Sequence, residues 1–399
     1  MRINKKRLKA NLKNIGEIGK NENGGITRLA FSNEYYQAAD KLQSLMEKAN
    51  LEVKRDGIGS IFAKREGQNN SLPSIMIGSH LDTVKNGGLF DGALGVMAAL
   101  ECFNVLNEEG IVTKHPLELA AFNAEEGSEM GGTFGSRVMM GLQDPDDSSL
   151  ENKIKKYDLT KENIRNSLRN PDEIKAFLEL HVEQGAVLDN EQIPIGIVTG
   201  IAGITRYKII VNGEANHSGT TPMNLRKDAL TSAAKLITEI EEEANKISDP
   251  FVATIGKVDI YPGSVNVIPG QVELVLEMRD LSQNKIENAI ERFKSLAKKI
   301  DDVDIQFEKM INKPPVKTND DIMKCIENGC LKDDITYKYM ASGAGHDAKE
   351  IARKVSTGMI FVPSKDGKSH CPEEWTDWDD IYQGVEVMLN TILNIDKSI

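Results

Sequence analysis

The sequence predicts an α/β fold: a mixed, mostly parallel sheet with helices on both faces, into which a smaller β-α-β-β-α-β unit is inserted. Three observations carry this. Short apolar runs alternate with helix-like stretches through the first half of the chain and again towards its end, as expected of a covered parallel sheet. Between them, the order changes to strand, helix, strand, strand, helix, strand over about a hundred residues, the split βαβ arrangement of a ferredoxin-like unit. The length, 399 residues, also exceeds what one hydrophobic core usually supports.

Taken in order, residues 2–19 read as a helix and 51–65 as a strand pair bent at Gly57 and Gly59. The run PSIMIG at 73–78 has buried-strand character. A helix is expected over 93–109 and another strand over 116–123 (PLELAAFN). In the inserted unit, strands are expected at 204–211, 252–261, 271–279 and 303–310, with helices at 227–245 and 286–300. Pro314 and Pro315 read as an exit linker, and a final helix is expected at about 379–394. The expected division is a discontinuous domain of 1–202 with 315–399, and an inserted domain of 203–314.

Composition narrows the function classes. With 40% hydrophobic, 28% charged and 5% aromatic residues, the chain reads as globular. A net charge of −12 argues against a nucleic-acid partner, which would call for a basic face. The N-terminal MRINKKRLKANL is charged, and no apolar run approaches the roughly 18 residues of a membrane helix, so neither a secretion signal nor a membrane span is expected. Cys102, Cys325, Cys330 and Cys371 form no C-x-x-C pair and read as free thiols of a reducing compartment, the cytoplasm.

The chemistry gathers at strand ends. His80 directly follows an apolar strand in GSHLDTVKNGGLFDG, and Asp91 lies in the glycine-rich loop after it. AAFNAEEG ends a second strand in Glu125 and Glu126, FLELHVEQG carries His181 on a third, and SHCPEE places His370 after a fourth strand-like run. A lone histidine at a strand end is more often structural; repetition at several strand ends is what favours a metal site. Functional groups of open α/β sheets collect beyond the carboxyl ends of strands. Imidazole and carboxylate suit zinc, manganese, cobalt or nickel.

With the further motifs EANHSGTTPM, SVNVIPG and SGAGHDA, the chain resembles the metal-dependent M20 peptidase superfamily along nearly its whole length. More narrowly it resembles the hydantoinase/carbamoylase branch, which comprises N-carbamoyl-L-amino-acid hydrolases, β-ureidopropionases and allantoate amidohydrolases. The resemblance implies two divalent metal ions per subunit, zinc or manganese first among the candidates. Asp91 would bridge them, His80 and His181 would complete one site, and Glu126 and His370 the other. Asp82 would stand behind the ligands, its carboxylate accepting the free imidazole N–H of His80; its plain alternative is a strand-end turn residue. Glu125 would be the general base, passing a proton to the leaving nitrogen.

The same resemblance assigns substrate contacts. His217 would stabilise the developing oxyanion, often from a partner subunit, although a bare histidine in a Gly- and Thr-rich turn would otherwise be an ordinary surface residue. Arg279, ending VELVLEM, would clamp a substrate carboxylate, its plain alternative being a salt bridge with Asp280 or another acid. Asn266, Gln184 and the backbone N–H groups at Gly343 and Gly345 would add further contacts. His346 either touches substrate or caps the helix that follows, His115 reads as structural, and Cys371 as a free thiol. A homodimer through the inserted domain is implied.

The expected activity is hydrolysis of the carbamoyl C–N bond of a small ureido acid. The alternative is an M20-type aminoacylase or aminopeptidase. True peptidases of the superfamily usually place an acid where this chain has His181, within HVEQG, and that position favours the carbamoylase reading. A catalytically dead scaffold would lack a ligand or the base, and none is missing.

Overall fold

The computed structural model of the protein describes residues 2–398. It divides into two compact units, Met1–Thr199 with Thr318–Ile399, and Gly200–Lys317.

The first unit is built on strands buried on both faces. Ser74–His80, Leu117–Phe122 and Thr357–Val362 are buried at every position, and Ile174–Val182 nearly so. That is why they read as continuous apolar runs instead of alternating ones. These four form the parallel heart of the sheet: Ser74–His80 pairs in parallel with Leu117–Phe122 and with Ile174–Val182, and Thr357–Val362 pairs in parallel with Ile174–Val182. Antiparallel strands extend it, Ile61–Arg65 and Glu52–Arg55 on one side and Ile195–Ile201 with Val316–Lys317 on the other. Tyr337–Ser342 also pairs with Ile195–Ile201, completing a nine-stranded sheet.

The helices that cover this sheet are set by their apolar faces and caps. Lys5–Gly16 begins at Asn4, whose side chain accepts from the N–H of Arg7, and Asn33–Lys48 begins at Ser32, which accepts from Tyr35. Such caps contribute about 1 kcal/mol each. Ala93–Glu108 is buried almost throughout and starts instead at Gly92, in a positive-φ conformation. A Cβ there would lie 2.3 Å from the ring of His80, so glycine is required both by φ and by space.

In the second unit, four antiparallel strands lie in the order Asp304–Lys313, Gly203–Asn212, Gln271–Asp280, Val252–Tyr261. The two central strands alternate buried and half-buried positions, the pattern of a sheet covered on one face. Helices Ala229–Ala244 and Gln283–Ala297 supply Leu236, Ile240, Ile290 and Phe293 to a core shared with Ile209, Leu274 and Leu276. The chain order is β-α-β-β-α-β, with the short antiparallel pair Asn216–His217 and Val267–Ile268 as an addition. Among the described residues, no helix is long and apolar enough to cross a membrane.

Candidate metal centre

Strand ends bring the site together. His80 is the last residue of Ser74–His80, and His181 lies near the end of Ile174–Val182. The parallel pairing of these strands places the two Nε2 atoms 3.5 Å apart. After Leu117–Phe122 the chain turns through Ala124 at a φ of 62°, and Glu125 and Glu126 follow. His370 also has positive φ, 57°.

Asp91 is the common element. Its Oδ1 lies 3.4 Å from His80 Nε2 and 3.1 Å from His181 Nε2, while its Oδ2 lies 3.2 Å from His370 Nε2. His370 Nε2 is in turn 3.5 Å from Glu126 Oε2. Two groups with metal-ligand geometry thus share one carboxylate: His80, Asp91, His181 and Asp91, Glu126, His370.

Hydrogen bonding fixes the ring tautomers of the first group. The Nδ1 of His80 is 2.9 Å from the main-chain carbonyl of Asp82, and that of His181 is 2.9 Å from the carbonyl of Val182. A carbonyl only accepts, so each Nδ1 carries the proton and each neutral ring turns an Nε2 lone pair inward. Two lone pairs and Asp91 Oδ1 therefore converge. Asp91 Oδ1 and Glu126 Oε1 are buried and make no hydrogen bond. Converging acceptors without donors suit divalent cations, which the donor set of imidazole and carboxylate would bind.

The carboxylates show how strongly the site wants positive charge. Burial, then three imidazoles acting against it, leave Asp91 well below the usual carboxylate range. Burial and the charge of Asp91 push Glu126 up to about 8. Burial, eased in part by His80 and reinforced by Glu126, holds Glu125 well above its ordinary value. Burial opposes the imidazolium of His80, but Asp91, Glu125 and Asp82 outweigh it and raise its pKa.

Asp82 sits differently from the expectation. Its main-chain carbonyl, not its carboxylate, accepts from His80; the nearer carboxylate oxygen is 3.9 Å from Nδ1. The carboxylate instead accepts the backbone N–H groups of Glu125 at 3.2 Å and Glu126 at 3.1 Å. It aims the acidic pair, and Glu125 Oε2 comes to 3.9 Å from His80 Nε2.

Gln184 enters the second group, its Nε2 lying 3.1 Å from Asp91 Oδ2 and 3.2 Å from His370 Nε2. His346 stands at the N-cap position of the helix Asp347–Ile351, but its side chain makes no capping hydrogen bond. Its Nε2 lies 2.9 Å from Ser342 Oγ, and its ring stands edge-on to His181. Gly343 and Gly345 are exposed, and a Cβ at either would meet nothing within 4 Å. His115 is structural as read, with Nδ1 2.8 Å from the carbonyl of Pro73, and all four cysteines are free.

The remaining residues belong to the second unit. His217 is exposed, and its Nδ1 accepts the N–H groups of Gly219 and Thr220, so its neutral ring presents Nε2–H as a donor. Asn266 is beside it: the carbonyl of Asn266 accepts from the N–H of Ser218. Arg279 is engaged by Glu277, not Asp280; Glu277 Oε1 lies 2.8 Å from its Nε and 2.6 Å from its Nη2. Glu277 Oε2 also accepts from Arg206 at 2.5 Å, so two guanidinium groups share one carboxylate. The acid two residues back along a strand lies on the same face, which is why it wins over its neighbour.

Glu374 was not singled out from the sequence. It is buried and accepts from the N–H groups of Phe90 and Asp91 and from the Ser369 hydroxyl. Burial and Asp91 push its carboxyl up to about 7. Its only sequence signal is its place in SHCPEE, where Glu373 was an equal candidate.

The chain matches Peptidase family M20/M25/M40 across residues 76–394. It is 39% identical over 406 residues to the N-carbamoyl-L-amino-acid amidohydrolase of Pseudomonas sp. (strain NS671), covering 98% of each chain. It is 33% identical over 387 residues to the allantoate amidohydrolase of Escherichia coli (strain K12), covering 94% of each. The crystal structure of an amidase of the hydantoinase/carbamoylase family from Burkholderia multivorans superposes with a TM-score of 0.92 at 29% identity, over 99% of this chain and 98% of that one. The converging strand-end imidazoles and carboxylates and these likenesses agree: the chain belongs to Peptidase family M20/M25/M40, within its hydantoinase/carbamoylase branch.

Proposed function

We propose that this protein is a two-metal amidohydrolase that cleaves the carbamoyl C–N bond of a small ureido acid, an N-carbamoyl-L-amino acid or allantoate. The observation that carries the reading is the pair of acceptor groups joined by Asp91, with an imidazole, His181, as the third member of the first. When bound, a pair of divalent cations supplies Lewis acidity, acidifying a water and polarising the scissile carbonyl. His80, His181 and Asp91 would hold one, and Asp91, Glu126 and His370 the other.

The chain's own residues then handle protons and orientation. Glu125, aimed by Asp82, takes a proton from the attacking water as the C–O bond forms. It returns that proton to the substrate nitrogen as the C–N bond breaks. The products are the free amine and a carbamate, which decomposes to ammonia and carbon dioxide. Burial raises the pKa of Glu125, which makes its carboxylate a stronger acceptor for the proton of the attacking water. His217 donates Nε2–H to the carbonyl oxygen, while Arg279 and Asn266 orient the acid group and Gln184 the ureido nitrogen; the backbone at Gly345 adds a contact.

A homodimer through the inserted unit is supported by its edge strand Val252–Tyr261, which exposes Val252, Val258, Ile260 and Tyr261. Free thiols support a cytoplasmic setting. The test is a panel of N-carbamoyl amino acids, allantoate, ureidopropionate, N-acyl amino acids and dipeptides, assayed with manganese or zinc for amine and ammonia release. Turnover of ureido acids with ammonia release is expected; preferential turnover of dipeptides or N-acyl amino acids would replace this reading with the peptidase or aminoacylase one.

A further inference from the structure

We propose that Glu374 is a positioning residue of the metal centre, fastening the segment that carries Asp91 to the segment that carries His370. The inference rests on the reading of the two ligand groups as metal sites. Glu374 Oε1 accepts the N–H of Phe90 at 2.9 Å and of Asp91 at 3.1 Å, across sequence separations of 284 and 283 residues. Its Oε2 accepts the hydroxyl of Ser369, the residue before His370, at 3.0 Å. One carboxylate thus grips the main chain of one ligand and the immediate neighbour of another.

Four features fit a clamp better than an incidental buried acid. The donors are all neutral, so the carboxylate is spent on fixing backbone and not on neutralising a cation. His370 adopts positive φ without being glycine, a conformation that persists only where surroundings enforce it. Ser369 before it and Glu374 after it are tied together by this carboxylate. A Cβ at Gly88 would lie 2.1 Å from Glu374 Oε1, so the Asp91 loop leaves room for the carboxylate only with glycine there. On the apolar side, Phe90 stands edge-on to Trp375 and Trp378, which holds the same two segments together.

The test uses the full chain stripped of metal and titrated with manganese(II) by calorimetry, alongside thermal melting. Glu374→Ala should weaken manganese binding by about 10–100-fold, the usual cost of losing a group that orients a ligand. Glu374→Gln keeps an oxygen for both N–H groups and should retain most of the affinity. Leu12→Ala, a core truncation in the N-terminal helix, should lower the melting temperature without weakening manganese. Gly88→Ala should weaken binding too, because its Cβ would meet Glu374 at 2.1 Å from Oε1 and 2.5 Å from Cβ and displace the carboxylate. Wild-type affinity in Glu374→Ala would overturn the clamp, as would equal losses in Glu374→Gln or in Leu12→Ala. Should Glu374→Ala fail to fold, Gly88→Ala decides alone, and unaltered binding there overturns the proposal. A wild type that binds manganese yet cleaves no ureido acid would remove the proposed substrate and leave the clamp standing; a wild type that binds none would remove both.

Discussion

The Nε2 atoms of His80 and His181 face each other at 3.5 Å, with the Nδ1 of each ring committed to a main-chain carbonyl. Both inward nitrogens are therefore acceptors in the neutral rings, and they share the third acceptor, Asp91 Oδ1. A proton can serve one of these contacts; a divalent cation serves all three. The rest of the site is arranged around this shortage of positive charge.

Glu125 and Glu126 are adjacent but differently placed, and the account gives them different tasks. Glu125→Gln keeps the shape and the hydrogen bond from its backbone to Asp82, and removes the base. Its turnover should fall by about 10²–10⁴, with metal content near that of the wild type. Metal loss with unchanged turnover per bound metal would show that the two glutamates have been assigned in reverse.

Asp82 tests the geometry behind that pair. Asp82→Ala leaves the N–H groups of Glu125 and Glu126 without their buried acceptor, at about 1–3 kcal/mol for each unsatisfied group. Melting temperature and turnover should fall together. His80 should keep its tautomer, because its Nδ1–H donates to a main-chain carbonyl that the substitution retains. Nitrogen-15 NMR of the imidazoles reports this directly, and a change of tautomer at His80 would restore the carboxylate to the role first expected of it.

His217 is held as an Nε2–H donor by the backbone N–H groups of Gly219 and Thr220. His217→Ala should lower kcat by about 10²–10³ with little change in KM, as expected of a group that acts in the transition state. Mixing His217→Ala with Glu125→Gln protomers identifies the subunit that supplies it. Regained activity places it across the dimer, and none in verified mixed dimers places it in its own subunit.

Arg279 carries the substrate carboxylate in this account, braced by Glu277. Arg279→Lys should lose much of kcat/KM because an ammonium cannot reproduce the planar fork, and truncating one partner of such a pair costs roughly 2–5 kcal/mol. The loss should nearly vanish on the carboxamide analogue. Equal impairment on acid and amide would make Arg279 a structural ion-pair residue and place the carboxylate anchor elsewhere.

What the sequence disclosed and what it hid divide along a physical line. Buried parallel strands are continuous apolar runs, so Ser74–His80, Leu117–Phe122 and Thr357–Val362 were legible, and so was the gathering of imidazoles and carboxylates beyond their ends. Alternating strands and amphipathic helices made the inserted unit readable from residue order. The helix Asn33–Lys48 and the strand Ile195–Ile201 escaped attention, because neither ends in a chemical motif that draws the eye. Contacts through the main chain were illegible: nothing in GSHLD says that the carbonyl of Asp82, not its carboxylate, meets His80. Nor does SHCPEE reveal that Glu374 reaches N–H groups more than 280 residues earlier. Arg279 lay between two acids in sequence, Glu277 and Asp280, and only the strand's face decided between them.

The central claim, that two metals share Asp91, is tested most directly by titrating the metal-free protein with manganese while following ammonia release from an N-carbamoyl-L-amino acid. The account predicts that activity saturates at two equivalents per chain, and that Asp91→Ala retains neither ion while His370→Ala retains one. Saturation at a single equivalent, or two-metal occupancy in Asp91→Ala, would contradict it.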